Sequence, residues 1–137
     1  MARSAIYVVN NATQNVVNNG NISLGTVIRR FGCNLFLEGN AIRESGSGYY
    51  KYIASFTVAP TAVGTVTIAA YKDGVLIPGA LASEAVSTAN NPTNLGLVFM
   101  TKENCACCED ISNISFVLTT TAPDVNITNV AITGEKL

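Results

Sequence analysis

The run Tyr50-Lys51-Tyr52-Ile53-Ala54-Ser55-Phe56-Thr57-Val58 constrains this chain more than any other stretch. Tyr50, Tyr52, Ala54, Phe56 and Val58 fall on one side of an extended backbone, and Lys51, Ile53, Ser55 and Thr57 fall on the other. Side chains of a β-strand alternate between faces with a period of two, so this run reads as a strand with one face turned to a core. Helical signals are nearly absent elsewhere. The one candidate, Gly79–Ala89, lacks long side chains and ends in Val86-Ser87-Thr88, so it reads as extended with an irregular start.

A second alternating strand is expected over Gly64–Tyr71, with Val66, Ile68 and Ala70 inward. Lys72-Asp73-Gly74 breaks it before Val75-Leu76-Ile77. Asp-Gly between apolar runs marks a tight hairpin, because both central residues of a type I′ turn need positive φ. Further strands are expected at Ile6–Asn10, Ile22–Arg30, Asn34–Glu38, Leu95–Thr101, Ile114–Thr121 and Val125–Thr133. Glu38-Gly39-Asn40 reads as another tight turn, Gly46-Ser47-Gly48 as a loop, and the Asn-rich segment 10–21 as a mobile loop. About eight to ten short strands at this spacing make an all-β antiparallel sandwich or barrel. No linker or internal repeat divides the chain, so residues 1–137 are expected to form one domain, long enough to bury its own core.

Composition narrows the partners. Hydrophobic residues make up 48% of the chain and charged residues only 12%, against about 25% charged in a typical soluble domain. Such a surface is either solvated by Asn, Thr and Ser or partly buried against a partner. The net charge is −1, and the densest basic cluster is the pair Arg29-Arg30. Phosphate binding needs clustered Lys and Arg, so nucleic acid is not an expected partner. No apolar run of about 20 residues is present, so no membrane-spanning helix is expected. The opening residues reach Asn10-Asn11 too soon for a secretory signal. Synthesis in a cytoplasm follows, with any surface location reached by another route such as a virus particle or a spore coat.

Five segments together resemble a known family: Gly25-Thr26-Val27-Ile28-Arg29-Arg30-Phe31-Gly32-Cys33, Ala41-Ile42, Gly48-Tyr49-Tyr50-Lys51-Tyr52, Thr65-Val66-Thr67-Ile68 and Lys72-Asp73-Gly74-Val75-Leu76-Ile77-Pro78-Gly79. They are similar to the jelly roll of tumour necrosis factor and complement heads. The likeness is nearest to phage and prophage structural proteins and to the C-terminal heads of bacterial collagen-like spore-surface proteins. It is good over residues 17–80 and loose in the C-terminal third. The resemblance implies a jelly-roll sandwich forming a homotrimer with an apolar, aromatic interface, and a role in display, attachment or decoration. Tyr50, Tyr52, Phe56 and Phe116 become the candidates for core or trimer interface, with Tyr49 more exposed. With no collagen-like region, the expectation is a decoration or head-fibre module on a bacteriophage virion, made in the bacterial cytoplasm. Its partners would be itself and a capsid or other virion protein, with residues 1–5 (Met1, Ala2, Arg3 and Ser4 foremost) as an attachment arm. The alternative is a glycan- or receptor-binding head on a spore or cell surface.

The residues that carry chemistry are sparse. There is no His, which removes the common nucleophilic triads and His metal ligands. A Ser–Lys pair is formally available, but Lys51, Lys72, Lys102 and Lys136 sit in no recognisable motif. Glu109-Asp110 are adjacent and would face opposite ways on a strand, unlike the facing acids of a glycosidase. No enzyme and no cofactor are expected. Cys33, Cys105, Cys107 and Cys108 admit several arrangements: free, partly buried thiols, a disulfide from Cys33 to one of the other three, bonds between protomers, or a four-thiolate zinc site. Adjacent Cys107 and Cys108 cannot easily both face one ion, which ranks zinc last. Glu103, Glu109 and Asp110 read as a solvated acidic loop ahead of a calcium site. The four Asn-x-Ser/Thr triplets are what an Asn- and Thr-rich β protein produces by chance.

Overall fold

A computed structural model describes residues 3–104 and 111–137. These residues form twelve strands and no helix: β1 (Ser4–Asn10), β2 (Gln14–Val17), β3 (Gly20–Asn21), β4 (Thr26–Phe31), β5 (Leu35–Glu38), β6 (Ala41–Ser45), β7 (Gly48–Pro60), β8 (Gly64–Lys72), β9 (Val75–Val86), β10 (Thr93–Glu103), β11 (Ile111–Thr120) and β12 (Asp124–Lys136). The first sheet runs β10-β7-β12-β1-β4, with β2 added on β12. The second runs β5-β6-β11-β8-β9, with β3 added on β11. Every pairing is antiparallel. Neighbours far apart in sequence and two sheets sharing one core make a jelly-roll sandwich.

The alternation in β7 does what its sequence demands. Tyr50, Tyr52, Ala54, Phe56 and Val58 are buried, while Ile53 is half exposed. Phe56 and Phe99 of the first sheet meet Phe116 of the second, with ring centroids 5.5 and 6.0 Å away, and Tyr52 stacks on Phe99 at 5.0 Å. The Asp73-Gly74 turn has φ of 51° and 83°, and Lys72 pairs with Val75 across it. This is the hairpin geometry that the dipeptide demands. The irregular start read at Gly79 is a bulge, for the β8–β9 register slips between Ala69 and Tyr71.

The strand count exceeds the expected eight to ten for two physical reasons. The Asn-rich segment 10–21 holds β2 and β3 and is not a free loop. Val16 is buried there, Asn15 Nδ2 donates to Asn126 Oδ1 at 3.0 Å, and the Asn19 N–H donates to the Leu118 carbonyl at 2.9 Å. Amide bonds anchor it, with little apolar pattern to announce it. Strand β6 escaped notice because one of its two inward residues is Glu44, beside Ile42. The attachment arm also shortens. Ser4 and Ala5 belong to β1, and Ser4 is buried with its Oγ donating to Asn34 Oδ1 at 2.8 Å. Arg3 is exposed outside the strand, and Met1 and Ala2 lie outside the described residues.

Tight packing of Tyr52 explains a glycine. A Cβ on Gly134, its cross-strand partner in β12, would sit 2.7 Å from Tyr52 Cε1. That ring is held between Phe99 and a hydrogen bond to Glu44 and cannot swing away. Gly134→Ala is therefore expected to cost about 1–3 kcal/mol through overpacking. At Gly96 the nearest atom to an added Cβ is 3.8 Å away, so Gly96→Ala is expected to be neutral or slightly stabilising. Urea unfolding of both variants at one protein concentration checks the contrast.

Candidate functional site

The outward face of the first sheet is the candidate site. Its register places Val98, Ile53, Thr133, Tyr7 and Arg29 in one row across β10, β7, β12, β1 and β4. The next row holds Met100, Lys51, Glu135, Ala5 and Phe31. Val98 is 65% exposed, Phe31 61%, and Ile53 and Met100 51% each. Strand β4 is exposed on both faces along its whole length, so Val27, Ile28 and Phe31 lie open at the sheet edge. Surface Leu or Val side chains scattered singly mean little, but Val98, Ile53 and Met100 lie side by side on one face, and such a cluster marks a candidate interaction surface. Beside it, Val75, Leu76, Ile77, Pro78 and Met100 line a groove of about 230 Å³, flanked by Lys72 and Lys102, with no aromatic or amide side chain.

The residues singled out from sequence divide cleanly. Tyr50, Tyr52, Phe56 and Phe116 come together as one core cluster, each with no exposed surface in the single chain. All four lie in the core of the single chain. Tyr49 is half exposed as expected, with Lys102 Nζ 5.3 Å from its ring centre. Arg29 and Arg30 do not act as a basic patch, since the Arg30 guanidinium stacks 4.0 Å over Phe36 and donates to the Leu35 carbonyl. Cys33 is exposed, while Cys105, Cys107, Cys108, Glu109 and Asp110 lie outside the described residues. Glu103 is no solvated loop residue; it is buried at the end of β10. Among the described residues, no group of three or more acidic or thiol side chains is placed to hold a metal.

No family model matches the chain, and no curated protein sequence does. Solved structures match over nearly its whole length. A crystal structure of murine APRIL at pH 5.0 covers 98% of this chain and 99% of its own, with a TM-score of 0.72 at 11% identity. The globular domain of zebrafish complement 1qA protein gives 0.64 at 8% identity, covering 97% of this chain and 95% of its own. The PRD1 vertex protein P5 gives 0.58 at 12% identity, covering 98% of this chain and 96% of its own. The fold is a tumour necrosis factor-like jelly roll.

This jelly roll buries two carboxylic acids where its sheets meet at one end. Glu44 of β6, in the second sheet, has no exposed surface, and Glu103 of β10, in the first, has almost none. Glu44 Oε2 accepts from the hydroxyls of Tyr52 and Thr101, both on the first sheet, while Oε1 has no partner. Glu103 Oε2 likewise accepts no hydrogen bond; Lys72 Nζ stands 2.9 Å from it and donates to the Lys102 carbonyl. Burial, then hydrogen bonding to Glu103, pushes the Glu44 carboxyl up to about 7. Burial also pushes the phenol of Tyr50 up to about 12 and that of Tyr52 well above its ordinary range, helped by the charge of Glu44. Both phenols stay hydrogen-bond donors at any ordinary pH. Glu44 was missed from sequence because its only signal is a charged residue at an inward strand position.

Proposed function

We propose that the chain is a non-enzymatic structural protein: a homotrimeric decoration or head-fibre module on a bacteriophage virion. The observation that carries this reading is the exposed apolar patch of Val98, Ile53 and Met100, with Tyr7 and Phe31 open further along the same sheet face, on a tumour necrosis factor-like fold. Covering that face with copies of itself removes the exposed apolar surface and accounts for a chain with only 12% charged residues. The exposed apolar patch at the β10–β7 end and the open β4 edge are different parts of one sheet face. Contacts between unlike surfaces close into a ring when the rotation between copies permits, and three copies make the smallest such ring after the dimer. Likeness to the PRD1 vertex protein P5 over almost the full chain supports the virion assignment. Arg3 lies outside β1, and the N-terminal end it begins would reach the particle.

The expected mass in solution is roughly three times 14.3 kDa, stable on dilution to nanomolar. Antibodies against the chain are then expected to label intact virions. A clean monomer overturns the assembly. A trimer that is absent from particles and binds a glycan array instead supports the alternative, a recognition head on a spore or cell surface, which the likeness to the complement head domain favours.

A further inference from the structure

We propose that Glu44 and Glu103 share one proton and form a latch between the two sheets, closed in acid and loosened above neutral pH. Geometry carries the argument. The side chain of Glu44 rises from the second sheet and is received by Tyr52, Thr101 and Glu103, all of the first. Its Oε1 is buried and lacks a hydrogen-bond donor, while the buried Oε2 of Glu103 has only the Lys72 ammonium 2.9 Å away. Buried polar atoms are almost always satisfied, and an orphan costs about 1–3 kcal/mol. A proton on Glu44 removes that orphan by donating to Glu103, because a protonated carboxyl donates where a carboxylate only accepts. Two ionised carboxylates side by side repel each other inside a poorly solvated site, as paired acids do elsewhere.

The surroundings decide which acid holds the proton. Lys72 of β8 stands within ion-pair distance of Glu103, and among the described residues no cation stands so near Glu44. The other groups facing the pair are Tyr50 and Tyr52 of β7, Thr101 of β10 and Ser112 of β11, with Leu35 of β5 opposite Glu44. Cys33, before β5, acts on Tyr50. None supplies a second positive charge. A polar depression of about 430 Å³, lined by Lys72, Lys102, Asp73, Glu103, Asn104 and Ser112, opens beside Glu103 and gives protons and water a path to the pair; Lys102 lies on its rim and turns its ammonium to the Tyr49 ring.

The sign of the pH dependence follows from the direction of the shift. The folded chain holds the Glu44 proton more tightly than the unfolded chain, where the carboxyl titrates near 4.5. The stabilisation is complete below that value and is lost as the pH rises through about 7. Urea unfolding of the intact protein at one fixed concentration is expected to show the folding constant falling by roughly two orders of magnitude between pH 5 and pH 8. Glu44→Gln keeps the shape, lets the amide donate to Glu103, and is expected to reduce that fall to less than tenfold. Carbon-13 spectra of the unaltered protein, labelled at the Glu carboxyls, supply a readout that survives even if the variant fails to fold: one carboxyl is expected to titrate near neutrality. The latch is overturned if every Glu carboxyl finishes titrating below pH 5.5. It is equally overturned if the wild type and Glu44→Gln lose stability in parallel. Recovery of stability at pH 8 on adding calcium, in the wild type only, would overturn the proton and assign the pair to a cation.

Discussion

Phe116→Ala is expected to lower the unfolding free energy by about 3–5 kcal/mol. The residue belongs to the second sheet and has no exposed surface. Its ring bridges the two layers by meeting Phe56 and Phe99 of the first sheet at 5.5 and 6.0 Å, in tilted and edge-on geometries. Truncation removes the transfer energy of the ring and both aromatic contacts, each worth about 0.5–1.5 kcal/mol beyond its buried area. It also leaves a cavity between two sheets whose backbones are tied on either side, so little can collapse to fill it. Total stabilities run at about 5–15 kcal/mol, which makes this one change a large part of the whole. In urea the midpoint is expected to fall with the slope unchanged, and the melting temperature to drop by roughly 10–20 °C. Protein concentration must be held constant, because the unfolding of an assembly depends on it. A loss under 1 kcal/mol would mean that the two sheets do not pack through this aromatic cluster.

The same residues explain which parts of the molecule the sequence discloses. Strand β7 is legible because its inward positions are all apolar and its outward ones mostly polar. The β8–β9 hairpin is legible because Asp73-Gly74 has few other uses between apolar runs. Strand β6 is illegible because Glu44 breaks the apolar pattern at an inward position, and only the tertiary structure supplies the Tyr52, Thr101 and Glu103 side chains that make a buried acid tolerable. Strand β2 is illegible because its anchor is an amide pair between Asn15 and Asn126, residues 111 apart in sequence. The candidate interface was half legible. The aromatic face of β7 drew attention, yet those side chains fill the core. The better signal was in β10, where Leu95, Leu97 and Phe99 point inward while Val98 and Met100 point outward. A strand apolar on both faces is one that expects cover on both.

That cover is what Val98→Asp tests. Val98 is 65% exposed in the single chain and heads the row shared with Ile53, Thr133 and Tyr7. An aspartate there faces water in a monomer, so the fold itself should lose no more than the ~1 kcal/mol of a strand-propensity change. In the proposed assembly the carboxylate would be sealed against the partner, with Lys51 diagonal to it on β7 the nearest cation on its face. An interface position of this kind is worth roughly 2–4 kcal/mol, and a closed ring of three repeats the penalty at every contact. At about 1.4 kcal/mol per factor of ten, the association constant falls by roughly four to eight orders of magnitude. Light scattering at micromolar concentration is therefore expected to show a folded 14.3 kDa monomer in place of the trimer. Val63 is equally exposed but lies in the loop between β7 and β8, away from the sheet face. Val63→Asp should leave the mass unchanged. If Val98→Asp stays trimeric while keeping its fold, the copies do not meet across this sheet. The apolar groove of Leu76, Ile77 and Pro78 then becomes the next surface to charge.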